Sequence, residues 1–175
     1  AGLIPDEKWK ASHSGEEWYL GDTYHLSIGQ GDILATPLQM AAAIASIANG
    51  GILYRPRLVA QIVDLEKNVI EEKQAEIVKD DFIRKENIAA VQKGMRQAVL
   101  AGSARALSSL PVEVAGKTGT AQFGTKGRTH AWFIGYAPYD NPQIVLAILV
   151  EGGGEGHKAA VPVAKEVFEW YFNKK

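Results

Sequence analysis

The sequence predicts a mixed α+β chain in which an antiparallel sheet carries helices on both faces. Three observations carry this expectation. A capped, alanine-rich helical pattern begins at Thr36, and an amphipathic pattern runs from Lys85 to Leu100. Three β-like runs crowd the last third, joined by short, turn-rich links. Short links favour antiparallel neighbours, because parallel strands need a crossover of about a dozen residues or more.

Taken in order, residues 1–31 show no sustained period. Pro5 to Lys10 reads as one helical turn, and the stretch reads as a covering segment packed by Trp9, Trp18, Tyr19 and Tyr24. At Thr36-Pro37-Leu38-Gln39, a Thr N-cap with Gln three residues on forms a capping box. Pro37 takes the first helical position, where its missing N–H is no loss. Leu38, Ala41, Ala42, Ala45 and Ala48 follow at helical spacing, with Ile44 and Ile47 beside them, until Asn49-Gly50-Gly51 stops the helix. Leu58 to Asp64 and Val69 to Lys73, either side of Glu66-Lys67-Asn68, read as a hairpin.

The helix expected over Lys85–Leu100 places Ile88, Val91, Met95 and Ala98/Val99 on one face. Ser103 to Ser109 adds a further helical turn before Pro111. Strands are then expected at Val112–Gln122, His130–Ala137 and Gln143–Glu151. The third is apolar at every position from Ile144 to Val150, the pattern of a central strand covered on both sides. A final helix at about Ala159–Phe172 offers Val163, Val167, Trp170 and Tyr171 as its cover, with Pro162 in its first turn. The division is therefore a mainly helical part with a hairpin over 1–111, then three strands and a helix over 112–175, both belonging to one domain.

Composition narrows the function. At 175 residues, with 46% hydrophobic and 22% charged, the chain can build a core and has no signature of disorder. A net charge of −1 leaves no basic footprint for nucleic acid. The absence of cysteine excludes a disulfide framework, thiolate metal ligands and a Cys nucleophile. The four histidines, 13, 25, 130 and 157, show no metal-ligand spacing, and no metal or cofactor is expected. The longest apolar run, Ile144 to Val150, falls far short of the ~18 residues of a membrane-spanning helix. The opening residues resemble neither a signal peptide nor a start, and the chain reads as a piece of something longer.

One motif carries chemistry. Lys117-Thr118-Gly119-Thr120 stands at the end of an expected strand, and Lys-Thr-Gly is a signature of penicillin-binding proteins and class A β-lactamases. Three residues are weak alone, but they have ordered company. Ser27-Ile28-Gly29-Gln30-Gly31, Thr36-Pro37-Leu38-Gln39-Met40-Ala41 and Ala48-Asn49-Gly50-Gly51 precede them. Ala121-Gln122 extends the motif, and His130-Ala131-Trp132-Phe133-Ile134-Gly135-Tyr136-Ala137-Pro138 follows. Together these resemble the C-terminal half of the transpeptidase domain of class B penicillin-binding proteins, the elongation type above the division type.

The resemblance implies a peptidoglycan D,D-transpeptidase that works by serine acyl transfer and binds β-lactams. Its substrate, a stem peptide ending in D-Ala-D-Ala, carries a terminal carboxylate. Lys117 would supply positive potential, and the Thr118 and Thr120 hydroxyls would donate to that carboxylate. Gly119 would let a peptide backbone come close to the strand edge. The peptide would then add as an extra strand. The Thr120 N–H would form half of an oxyanion hole. Gln122, Thr125 and His130 would line the site, although a strand-end structural histidine is the plainer reading of His130.

The family's Ser-x-x-Lys and Ser-x-Asn motifs match none of serines 12, 14, 27, 46, 103, 108 and 109. Both are therefore expected upstream, and this portion alone is expected to be inactive. The implied setting is the extracytoplasmic face of the membrane or periplasm, on an N-terminal anchor. The implied partners are a membrane glycan polymerase and the upstream half of the same chain. Two alternatives share the motif: a transpeptidase-like binding module without chemistry, and a β-lactamase or β-lactam sensor.

Overall fold

A computed structural model describes residues 2–124 and 127–173. Two short helices open the chain, α1 at Glu7–Ser14 and α2 at Leu20–Ser27, followed by α3 at Pro37–Ala48. Four short strands come next: β1 at Leu53–Tyr54, β2 at Gln61–Val63, β3 at Val69–Glu72 and β4 at Ile77–Lys79. Helix α4 spans Lys85–Leu100, and a 3₁₀ turn follows at Arg105–Ser109. Strands β5 at Ala115–Gln122, β6 at Thr129–Ala137 and β7 at Ile144–Val150 then lead into α5 at Gly156–Asn173.

The large sheet has the order β5-β6-β7 and is antiparallel throughout. Helix α5 and the 3₁₀ turn cover one face, where Val99, Leu107, Phe133, Val161, Ala164 and Phe168 form the main core. Helix α3 covers the other, where Ile44, Ala48, Met95, Ala115 and Tyr136 pack together. The sheet with helices on both faces is therefore as expected. The position of the apolar strand is not. Among the described residues β6 is central and β7 lies at an edge. The reason is geometric: β7 is half-buried at all seven positions because α3 and α5 both reach it. Hydrophobicity reports covered faces, not a place in the sheet.

Helices α3 and α4 match their expected bounds because their signals are local. The Thr36 Oγ1 accepts the Gln39 N–H at 3.2 Å and the Gln39 Oε1 accepts the Thr36 N–H at 3.0 Å, completing the capping box. Ile88, Met95 and Val99 form the buried stripe of α4, while Val91 is turned outward and Leu38 of α3 is exposed.

Other expectations fail. The first 31 residues hold two helices, not one turn, and their aromatics do not build a core: Tyr19 and Tyr24 are exposed. The segment is organised instead by Lys10, whose Nζ donates to Asp22 at 2.7 Å, lies 3.6 Å from Glu16 and sits over the Tyr19 ring. That hydrogen bond raises the Lys10 pKa and, with the Tyr19 N–H, lowers that of Asp22. In α5 the buried stripe is Ala160, Val161, Ala164 and Phe168, whereas Val163 and Trp170 face outward. Pro162 lies well inside the helix, because α5 starts at Gly156.

The expected hairpin forms between β2 and β3, and a second antiparallel pair, β1 with β4, lies outside it. Buried under the sheet, the Tyr136 hydroxyl has no hydrogen-bond partner among the described residues. Burial, with Tyr139 and Asp140 nearby, pushes its pKa up to about 12.

Candidate active-site wall

The Lys-Thr-Gly-Thr run occupies the middle of β5, not its end. The strand pairs with β6 on one side only, with Lys117 opposite Ile134, Thr118 opposite Phe133, Gly119 opposite Trp132 and Thr120 opposite Ala131. Its other edge is open among the described strands. Main-chain groups alternate sides along a strand, so one parity faces that edge. The contacts identify which one: the Thr120 carbonyl and the Gln122 N–H both bond outward, to the side chain of Gln30. The Thr120 N–H therefore points to the open edge.

Lys117 is exposed, and its Nζ donates to the Thr118 carbonyl at 2.6 Å, which brings the ammonium onto the same edge. The two threonine hydroxyls are tethered from the α5 side of the sheet. Thr118 Oγ1 shares a 2.6 Å hydrogen bond with Ser103 Oγ, just beyond α4. Thr120 Oγ1 accepts the N–H of Gly156 at 3.4 Å. One ammonium, two hydroxyls and a main-chain N–H thus lie within four consecutive residues. Such a cluster can hold a carboxylate by charge-assisted hydrogen bonds and stabilise negative charge on a neighbouring oxygen.

Gly119 sits on a crowded face. A Cβ there would sit 3.1 Å from the Trp132 Cβ. Gly156 is required: a Cβ would lie 2.5 Å from the carbonyl oxygens of both Gly119 and Trp132. The start of α5 therefore rests backbone on backbone against the motif. The glycine-rich stretch before it, readable as a flexible turn, is tied down. The Gly154 N–H donates to Thr129, and Thr129 Oγ1 donates back to the Gly154 carbonyl.

Gln122 lies next to the motif with an exposed side chain. His130 stacks on Phe123 with ring centroids 3.7 Å apart, and its Nδ1 accepts the Gly152 N–H at 3.2 Å. The first contact ties the start of β6 to the end of β5, and the second ties it to the loop between β7 and α5. Thr125 lies outside the described residues. Sequence reasoning missed Gln30, Ser103 and Gly156 as neighbours of the motif. Gln30 was signalled only by its place in the glycine-flanked block, and Gly156 by its run of glycines. Ser103 had no signal, since its role depends on where α4 ends in space.

Comparisons with known proteins place the chain in a family and a fold. The penicillin binding protein transpeptidase domain matches residues 4–169. The peptidoglycan D,D-transpeptidase MrdA of Haemophilus influenzae is 35% identical over all of this chain, which spans 29% of that relative's length. Among solved structures, Pseudomonas aeruginosa PBP2 in complex with WCK 5153 superposes with a TM-score of 0.81 at 37% identity, over 97% of this chain and 38% of that one. PBP2 of Helicobacter pylori in complex with MreC gives 0.80 at 31% identity, over 99% of this chain and 31% of that one. The fold is thus a known architecture, and this chain spans about a third of the length of these relatives. The chain belongs to the penicillin-binding protein transpeptidase family.

Proposed function

We propose that this chain forms the carboxylate-binding and oxyanion wall of a peptidoglycan D,D-transpeptidase that acts by serine acyl transfer and is acylated by β-lactams. The observation that carries the reading is the open edge of β5, where the Lys117 ammonium and the outward Thr120 N–H lie three residues apart. A stem peptide ending in D-Ala-D-Ala adds along this edge. Its terminal carboxylate meets Lys117 and the hydroxyls of Thr118 and Thr120. Its penultimate carbonyl points at the Thr120 N–H.

A serine hydroxyl contributed by the upstream half of the domain adds to that carbonyl carbon. Negative charge then collects on the oxygen facing Thr120, the C–N bond to the last D-Ala breaks, and the serine proton leaves with its amine. An amine from a second stem then adds to the acyl carbon, the C–O bond to the serine breaks, and the amine's proton passes to the serine oxygen, which closes the cross-link. Gln122 and His130 act at the border of this site, the latter by holding the start of β6 against Phe123 and the loop before α5. The range 1–175 acts as the C-terminal part of one transpeptidase domain, anchored upstream at the extracytoplasmic face and working beside a membrane glycan polymerase. The PBP2–MreC complex of the H. pylori relative supports a further protein partner in the same assembly.

The test is intact mass spectrometry after incubation with benzylpenicillin. A one-to-one adduct is expected on the full-length protein and none on residues 1–175. Lys117→Ala in the full-length protein is expected to slow acylation about 10- to 100-fold, the worth of a hydrogen bond to a charged group. Absence of any adduct on the full-length protein would favour a binding module. Rapid release of hydrolysed antibiotic would favour a β-lactamase.

A further inference from the structure

The open edge of β5 is already partly occupied by the chain itself. Gln30 stands between Gly29 and Gly31, whose φ values of 72° and 78° fold the loop tightly, and its own N–H is pinned to the His25 carbonyl at 2.9 Å. From there its side-chain amide reaches β5. Nε2 donates to the Thr120 carbonyl at 3.1 Å, and Oε1 accepts the Gln122 N–H at 3.3 Å. One glutamine amide thus takes an acceptor and a donor that an added strand would otherwise use.

The Thr120 carbonyl is the group that matters. In an antiparallel ladder a hydrogen-bonded pair of residues exchanges both bonds. A peptide whose reacting carbonyl accepts the Thr120 N–H therefore directs the N–H of the same residue at the Thr120 carbonyl. The first bond leaves Gln30 undisturbed, whereas the second claims the position that Nε2 holds. Both Gln30 bonds are neutral and longer than the 2.9–3.0 Å mode, at 3.1 and 3.3 Å, so a substrate amide can compete for them. A cleft of about 450 Å³, lined by His25, Ile28, Gln30, Gly31, Gln122 and Phe123 among others, opens beside the side chain and gives it somewhere to go.

Building on the transpeptidase reading, we propose that Gln30 is a specificity-determining gate on the acyl-donor site. It occupies the Thr120 carbonyl when the site is empty and gives it up to a donor that brings an amide N–H on its reacting residue. Donors without that N–H leave Gln30 in place. Gln30 thereby acts only on the amide-bearing class.

The experiment compares acylation of the full-length protein by benzylpenicillin, which carries an acylamino N–H, and by imipenem, which does not. Gln30→Ala removes both contacts. Gln30→Glu keeps an acceptor for the Gln122 N–H and removes the donor to Thr120, so it leaves the loop seated. In both variants the benzylpenicillin rate constant is expected to rise roughly 2- to 10-fold, the range of one competing hydrogen bond, while the imipenem rate stays unchanged. Rates unchanged for both lactams, or shifted equally for both, would overturn the proposal, and an equal fall would make Gln30 a brace for the end of β5. If the unsubstituted protein formed neither adduct, the transpeptidase reading itself would fall and take the gate with it.

Discussion

The β5–β7 sheet and the two small strand pairs between α3 and α4 are all antiparallel, yet their surroundings are opposite. In β6, Ala131, Phe133, Tyr136 and Ala137 are wholly buried. In β2 and β3 every residue is exposed, and Leu58 and Leu65 nearby are as exposed as in an extended chain. The β2–β3 hairpin is held by its turn. The Asp64 carboxylate accepts the Glu66 and Asn68 N–H groups at 2.9 and 2.8 Å and the Asn68 side chain at 3.0 Å. The Asn68 bonds hold the Asp64 carboxyl below its usual range. A lone two-stranded hairpin is marginal in water, so turn chemistry fixes its shape and little more. The comparison teaches that strand pattern alone does not make a core. Helices α3 and α5 make one by covering both faces of the sheet.

The contrast can be broken at its strongest point first. Phe168→Ala empties a fully buried position between α5 and the sheet and is expected to cost about 3–5 kcal/mol of the full-length protein's stability. Urea unfolding measures this, and a cost below 1 kcal/mol would mean α5 does not hold the sheet. Gly156→Ala comes next. Its methyl meets two main-chain oxygens that cannot step aside, so a loss of about 1–3 kcal/mol is expected, together with slower benzylpenicillin acylation, because the strain falls on Gly119. Normal acylation kinetics would detach α5 from the site.

Tyr136→Phe removes a buried hydroxyl that has no partner among the described residues, and is expected to be neutral or stabilising by up to about 1 kcal/mol. It also carries a pH signature. The folded phenol titrates near 12 and an unfolded one near 10, so the unfolded chain loses its proton first. Stability should therefore fall as pH rises from about 10 towards 12, and Tyr136→Phe should flatten that fall. An unchanged alkaline slope would show that burial does not raise the Tyr136 pKa in the folded protein. The smallest effect belongs to the hairpin, where Leu65→Ala is expected to change stability by no more than about 0.5 kcal/mol, because the side chain packs on nothing. A larger loss in the full-length protein would mean that the hairpin is covered there.

Particular elements show how far the sequence could be read. Helix α3 was legible from Thr36, Pro37 and Gln39, and α4 from its 3.6-residue stripe, because capping and periodicity lie within a few residues. Helix α2 was not, because its N-cap is Tyr19, a residue with no capping signature. Its first free donor is met instead by the Asp22 carboxylate, which accepts the Tyr19 N–H at 2.7 Å. The α5 stripe was misread because bulk drew attention to Trp170, whereas the contact surface is set by small residues at 160 and 164 and by Phe168.

The sequence by itself determined the two capped or periodic helices, the three antiparallel strands, and the Lys117–Thr120 motif with its chemical types. Each depends on neighbours a few residues apart. Only the tertiary structure decided which strand is central and which edge of β5 is open among the described residues, and that Gln30, Ser103 and Gly156 converge on the motif from positions 90, 15 and 36 residues away in the chain. The physical reason is range. Caps, turns and periods are settled by local hydrogen bonding and steric fit, whereas the site's wall is assembled from backbone edges that meet only after both faces of the sheet have been covered.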